Sequence, residues 1–289
     1  MIPRANITAW RQRAPWPANE QVEQDLVLCR ALVAMFGDRG VADRLVFRGG
    51  TALHKLYLAP AARYSEDIDL VQRDAGPIGE TIGAVRRALD PWLGVPRWKQ
   101  GSGRFTVDYR FETSFAPVST RRLKIEINTR EHFSVLGTTR RPLVVENPWF
   151  SGTAEIAVYH LDELLGTKLR ALHQRRKGRD LFDLWVALRS GEANAERIVK
   201  CFERYMTHDG AAVSRAEFEA TLVPKLMNDD FLEDVRLLVP PDLAYDSATA
   251  ARLVQDELIA KLPGEPWKGQ APSPDGTDPS RPAAEKKRR

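Results

Sequence analysis

Cysteine is scarce in this chain: Cys29 and Cys201 are the only two in 289 residues. They lie far apart and match no metal-ligand spacing, which excludes a disulfide framework and a zinc knuckle and fits buried thiols in a reducing compartment. Histidine is nearly as sparse. His54, His132, His160, His173 and His208 form no metal-spaced pair and read as ordinary residues. No apolar run is long enough to cross a bilayer as a helix, and no signal-peptide hydrophobic region opens the chain. A soluble, cytoplasmic protein without membrane contact is expected.

Charge of one sign is also lacking. Lys and Arg number 43 against 39 Asp and Glu, a formal net charge of +4. Part of that excess belongs to the segment from Gly264, so the rest of the chain is nearly neutral and global charge does not argue for nucleic-acid binding. Any polyanion must be met by a local cluster. The apolar share of 43% and charged share of 28% are enough for a sizeable core in one large domain or two smaller ones.

What is present concentrates in two stretches. The first is Val46-Phe-Arg-Gly-Gly-Thr51, followed by Ser65-Glu-Asp-Ile-Asp-Leu70. Val46 and Phe47 read as the end of a buried strand, Gly49-Gly50 as a tight turn, and Thr51 onward as the start of a helix. Such a turn lets backbone N–H groups approach an anion, and the helix N-terminus adds partial positive charge. Asp67 and Asp69 alternate with Ile68 and Leu70, so on a strand the carboxylates share one face while the apolar pair enters the core. Two carboxylates beside a phosphate-gripping turn suit a Mg²⁺ (or Mn²⁺)–nucleotide site. Arg48, Arg63 and Ser65 flank the motif and are further phosphate candidates. A helix cap by Thr51 plus a solvated acidic strand end accounts for the same residues singly, but not for the clean alternation.

The second stretch runs from Leu161 to Trp185. Leu161, Leu164, Leu165, Leu169 and Leu172 form a helical stripe, with Lys168 on its flank; Gly178 interrupts, and Arg179-Asp180 opens another helix on which Asp180 and Asp183 share a face. A lysine aimed at phosphate suits nucleotidyl transfer, which gains mostly from positioning and charge. Taken alone, Lys168 is an ordinary helical lysine, Asp180 a charge favoured by a helix N-terminus, and Asp183 a partner for a nearby arginine. Arg170, Arg175, Arg176, Lys177 and Arg179 make a dense basic run that offers contacts to RNA phosphates.

Elsewhere the patterning predicts helices over 19–39 and 77–89, the latter closed by Asp90-Pro91. Two alternating strands follow, one carrying Phe105, Val107, Tyr109 and Phe111 and the other Leu123, Ile125 and Ile127, paired antiparallel around a loop near 113–120. Short extended runs are predicted at 143–146 and 154–158, and helices over 161–175, 179–189, 193–205, 215–227 and 248–262. Strands early and helices late give an α+β chain: a mixed-sheet domain over 1–160, a helical domain over 161–262 carrying the second motif, and a disordered tail over 263–289 ending in Lys286-Lys-Arg-Arg289.

The order Gly-Gly-Thr, helix, Asp-x-Asp resembles the nucleotidyltransferases of the DNA polymerase beta superfamily. The wording Arg-Gly-Gly-Thr-Ala-Leu-His-Lys, Arg63-Tyr-Ser-Glu-Asp-Ile-Asp69 and Lys168 followed by Arg179-Asp-x-x-Asp183 is similar, more narrowly, to the AbiEii/AbiGii toxin family, which includes MenT-like members. Thr51 stands where the wider superfamily has serine and keeps the hydroxyl. The resemblance covers the chain from Gln21 through Trp185. It implies a polymerase-beta-like nucleotidyltransferase domain with NTP as substrate, a role as the toxin of a bacterial toxin–antitoxin pair, and a cognate antitoxin protein as partner. It further implies metal on Asp67, Asp69 and a third carboxylate from the neighbouring strand, for which Glu126 is the candidate. Phosphate would rest on Gly49, Gly50 and Thr51, and Lys168 with Asp180 or Asp183 would belong to the catalytic apparatus. The implied reaction moves a nucleotide from NTP to an acceptor, with the tRNA 3′ end or another RNA as the candidate. A protein or small-molecule acceptor, and a non-catalytic nucleotide-binding module acting through a partner, are the alternatives.

Overall fold

The computed structural model describes residues 2–269, so most of the expected tail, 263–289, lies outside the described residues. Within them, α1 (Arg4–Trp10), α2 (Asn19–Gly37) and the short α3 (Arg39–Ala42) precede β1 (Leu45–Arg48), α4 (Gly49–Leu56) and β2 (Asp67–Gln72). Next come α5 (Gly79–Leu93), β3 (Arg97–Gly101), β4 (Arg104–Glu112), β5 (Thr120–Asn128), β6 (Thr138–Asn147) and β7 (Phe150–Tyr159). The rest is helical: α6 (Leu161–Gln174), α7 (Gly178–Arg189), α8 (Ala195–His208), α9 (Arg215–Leu226), α10 (Asp229–Glu233), α11 (Ser247–Glu257) and a final 3₁₀ turn (Ile259–Lys261).

The strands form one seven-stranded mixed sheet in the order β3-β4-β5-β2-β1-β7-β6. β2 pairs antiparallel with β1 and parallel with β5, which places the Asp-x-Asp strand at the centre. Alternation decides what faces what. Ile68, Leu123, Ile125, Ile127 and Val107 are fully buried, and the residues between them face the other way. The covering helix α2 carries an acid into the core: Asp25 accepts from the indole N–H groups of Trp10 and Trp16 at 2.8 and 3.0 Å and from Lys55 of α4. A buried carboxylate with three donors is satisfied, and it ties α1, α2 and α4 together.

Burial divides into two apolar clusters. One lies between the sheet and α1, α2 and α5; the other lies among α6 to α11 and also takes Leu53 and Leu58. Helix α4 thus touches both, which locks the Gly-Gly turn to the helical half. At the far end, Pro263 and Trp267 hydrogen-bond to residues of α9. The expected pairing of β4 with β5 is present, with the loop at 113–119. Several elements depart from expectation, among them helices α1 and α10, which the patterning does not predict. Helix α5 runs through Pro91 to Leu93 instead of stopping before it, with Pro91 in its last turn offering no N–H to the Arg87 carbonyl. The runs at 143–146 and 154–158 are parts of a hairpin whose two strands, β6 and β7, have ten residues each. Strand β3, with every residue exposed, carries no apolar alternation to announce it.

Candidate active site

Arg48 ends β1, and Gly49 (φ 78°) turns the chain into α4. Any side chain at Gly49 would be strained by that dihedral, and its Cβ would fall 2.3 Å from the Asp69 carboxylate. A Cβ on Gly50 would fall 2.4 Å from an Arg63 Nη2 and 3.3 Å from Lys168 Nζ. The turn therefore brings the backbone against both an acid and an amine. No side chain caps α4, so its first N–H groups stay open to an anion. Thr51 behaves differently. Its side chain is buried, and its hydroxyl meets Ser65 Oγ at 2.7 Å and the Asp67 carbonyl. It staples α4 to β2 behind the cleft, while Ser65 lines the cleft itself.

The β2–β5 register sets Asp67 opposite Lys124 and Asp69 opposite Glu126, all on the face turned away from the apolar core. Burial pushes the Asp67 carboxyl up to about 6; Lys124 opposes the rise, while Asp69, Glu66 and Glu126 add to it. Burial also raises Asp69, against the pull of Arg48. Glu126 moves the other way. Its burial is outweighed by hydrogen bonds from Lys124 at 2.6 Å and Arg104 at 2.9 Å, which hold it below the usual carboxylate range. Lys124 Nζ also lies 3.7 Å from Asp67. Among the described residues no three acidic, histidine or cysteine side chains converge tightly enough to hold a metal ion. Asp67 and Asp69 are nevertheless hard oxygen donors on one wall with their charge resisted by burial. That donor set fits a Mg²⁺-like ion shared with substrate phosphates, whereas Glu126 is engaged by two cations.

Behind the opposite wall, α6 and α7 build a charge network. Lys168 Nζ contacts Asp180 at 3.2 Å and Asp183 at 2.8 Å, and both carboxylates are wholly buried. Arg63 grips Asp183 through Nε at 2.6 Å and Nη2 at 2.8 Å, and Arg175 grips Asp180 in the same two-pronged way at 2.7 and 2.8 Å. Such forks fix the carboxylates in plane and register. His54 Nε2 lies 2.8 Å from Asp183. Burial takes the imidazole down to about 4 against the attraction of Asp183, so it is neutral and donates through Nε2. Arg63, Lys168 and His54 in turn hold Asp183 well below the usual carboxylate range despite burial. Asp180 and Asp183 do not face the cleft; Lys168 does.

The cleft has two lobes. One, of about 250 Å³, is lined by Gly50, Arg63, Ser65, Asp67, Lys168 and Arg175. The other, of about 620 Å³, is lined by Arg48, Ser102, Arg104, Asn128, Arg130 and Asp209. Asp69 and Glu126 border both lobes. Positions 50, 67, 69 and 168, remote in sequence, thus meet around one space.

A profile described as "Nucleotidyl transferase AbiEii toxin, Type IV TA system" matches residues 30–253. The chain belongs to the AbiEii nucleotidyltransferase toxin family. Two solved structures resemble this AbiEii-family fold. The nucleotidyltransferase toxin MenT4 from Mycobacterium tuberculosis H37Rv superposes with TM-score 0.60 at 18% identity, covering 91% of each chain. A putative nucleotidyltransferase from H. pylori gives TM-score 0.50 at 21% identity, covering 84% of this chain and 96% of its own. No protein of curated function matches. Membership of the family makes this chain a nucleotidyltransferase of a type IV toxin–antitoxin system, with a nucleotide substrate and an antitoxin partner. Among the described residues no helix is long and apolar enough to cross a membrane.

Several residues of this AbiEii-family cleft escape sequence reasoning. Lys124 lies between Asp67 and Glu126, and Glu131 receives both Arg48 and Arg170. His54 reads as an ordinary helical histidine because the signal for its role is a partner 129 positions away. The basic run is largely engaged by carboxylates rather than buried: Arg170 pairs with Glu131 and Asp209, Arg175 with Asp180, and Lys177 and Arg179 with Asp234, while of these residues only Arg170 is buried. Only Arg175 and Arg179 of that run also line the cleft.

Proposed function

We propose that the chain transfers a nucleotide from an NTP to the 3′ end of an RNA, tRNA in particular, and thereby blocks translation unless a cognate antitoxin protein intervenes. The observation carrying this reading is that the Lys168 amine stands against the Gly50 backbone in the same cleft as Asp67 and Asp69. The open N–H groups of α4 and the amine of Lys168 bind the triphosphate; Arg63 and Arg175 keep the local field positive. Asp180 and Asp183 are positioning residues, since they hold Lys168 and are closed off from substrate. Thr51 supports the loop from behind, and Ser65 faces the phosphates. Asp67 and Asp69 hold Mg²⁺ or Mn²⁺, with Glu126 joining only if Lys124 and Arg104 release it. The ion, when bound, supplies Lewis-acid charge to the reacting oxygens.

In the transfer, the acceptor hydroxyl oxygen bonds to the α-phosphorus and the bond to the α–β bridging oxygen breaks. Pyrophosphate leaves with that electron pair, and the hydroxyl proton passes to a carboxylate of the Asp67, Asp69, Glu126 group. The test incubates the protein and Mg²⁺ with each α-labelled NTP and separate pools of tRNA, protein and small molecules. Label on tRNA that disappears in Asp69→Ala supports the reading; label confined to protein or small molecules, or to no pool, defeats it.

A further inference from the structure

The sheet face that carries Asp67 and Asp69 continues outward, away from the helical half. Register connects Asp69 to Glu126 on β5, Glu126 to Thr106 on β4, and Thr106 to Lys99 on β3. A second row joins Asp67, Lys124, Asp108 and Arg97. Directly paired residues share a face, so Arg104, Arg110 and Arg122 lie on it as well. On these three strands that face carries six cationic side chains against three carboxylates. α2 and α5 pack on the reverse side, where Phe105, Val107 and Tyr109 are buried. On the cleft side the same strands stay exposed or half-buried. Among the described residues Arg97, Lys99 and Arg110 are exposed and stand in no ion pair.

We infer that this open face of β3, β4 and β5 is the track along which the acceptor strand lies, a single-stranded nucleic-acid end whose terminal hydroxyl reaches Asp69. The inference rests on the nucleotidyltransferase reading above and adds the place and chemistry of its second substrate. Charge complementarity selects the occupant: unpaired arginine and lysine on a flat polar face suit phosphates, and no apolar surface there suits a protein partner. The track is continuous with the cleft, because Arg104 and Glu126 belong to both. From Asp69 to Lys99 it crosses three strand spacings, roughly 14 Å. In the basic run, Arg170, Arg175 and Arg179 are already engaged by carboxylates, whereas among the described residues Arg97, Lys99 and Arg110 of the track are in no ion pair.

Fluorescence anisotropy with a labelled single-stranded RNA oligonucleotide of mixed sequence, as a function of salt, tests this on the full chain without NTP. Lys99→Glu and Arg110→Glu are each compared with Arg140→Glu, which removes the same charge from β6 at the opposite sheet edge. Each track variant is expected to bind RNA roughly tenfold more weakly and to lower the salt slope by about one. NTP binding by titration calorimetry should be unchanged, and so should RNA binding by Arg140→Glu. Equal weakening by Arg140→Glu, no weakening by the track variants, or no RNA binding by the parent protein would overturn the track. The transferase reading fails separately, by absence of label transfer in the parent protein. A parent that labels a protein acceptor, with transfer indifferent to Lys99→Glu, also removes the track.

Discussion

The Lys168 amine lies 2.8 Å from the Asp183 carboxylate, and both side chains are almost sealed from water. Asp183 is shared with Arg63 and His54, so it is the hub on which the cleft-facing lysine is oriented. Removing a partner from such a network leaves buried charge uncompensated, which costs about 3–5 kcal/mol. Asp183→Asn should therefore lower the unfolding free energy by that order and abolish transfer together, as chemical denaturation and label incorporation would record. The pH dependence has a definite sign. Asp183 titrates well below its unfolded range, so its contribution is fully present above about pH 4 and fades as pH falls further. Asp183→Asn should show a flatter acid limb than the parent protein.

Gly49 and Gly50 make separable predictions. Gly49→Ala forces a β-carbon into the left-handed region and onto the Asp69 carboxylate, so stability should fall by about 1–2 kcal/mol or more. At Gly50 the dihedral is ordinary, and an added methyl instead meets Arg63 and Lys168. Gly50→Ala should push the Arg63 fork off Asp183 and so lower stability as well as weaken NTP binding, which thermal melts beside titration calorimetry would record.

The centre of this fold was legible because burial there is one-sided. Ile68 between two aspartates, and Leu123, Ile125 and Ile127 between polar residues, show both strand and face. Strand β3 was not legible: Arg97 to Gly101 sits at the sheet edge with nothing buried. Strand β6 is the other edge, where Pro142 is tolerated and the pattern weakens, so only its inner part is visible in sequence. Asp180 and Asp183 could be placed on one helix face, and both turn out to touch Lys168. Their arginine and histidine partners come from the chain before β2 and from the loop after α6, a convergence that local periodicity does not encode. Alternation put Glu126 on the polar face of its strand and the family resemblance made it the third-carboxylate candidate, but its register opposite Asp69 and its ion pairs with Lys124 and Arg104 are tertiary matters.

Asp67 should trade stability for function. Burial lifts its carboxyl to about 6, so the folded state resists its ionisation at neutral pH. A raised carboxyl pKa destabilises above the unfolded value near 3.9, and the penalty grows until pH passes the folded value. The side chain is 37% exposed, so screening reduces the effect to about 1 kcal/mol or less. In EDTA, Asp67→Asn should melt slightly higher than the parent protein while losing transfer. Adding Mg²⁺ with NTP should raise the melting temperature of the parent and leave the variant nearly unmoved; a variant that melts lower in EDTA would contradict the burial argument.

Thr51 separates support from chemistry. Its hydroxyl is spent on Ser65 and on the Asp67 carbonyl, and only the backbone of its helix faces the cleft. Thr51→Val keeps the shape but strips the carbonyl of its donor, which costs about 1–3 kcal/mol. Thr51→Ser restores the hydroxyl with a smaller side chain and should recover most of that loss. If the hydroxyl instead held a phosphate, Thr51→Val would raise the KM for NTP at unchanged stability. Denaturant unfolding and steady-state transfer on the same two variants therefore distinguish the roles: stability should follow the hydroxyl, and the KM for NTP should stay within a few-fold of the parent wherever the protein is folded.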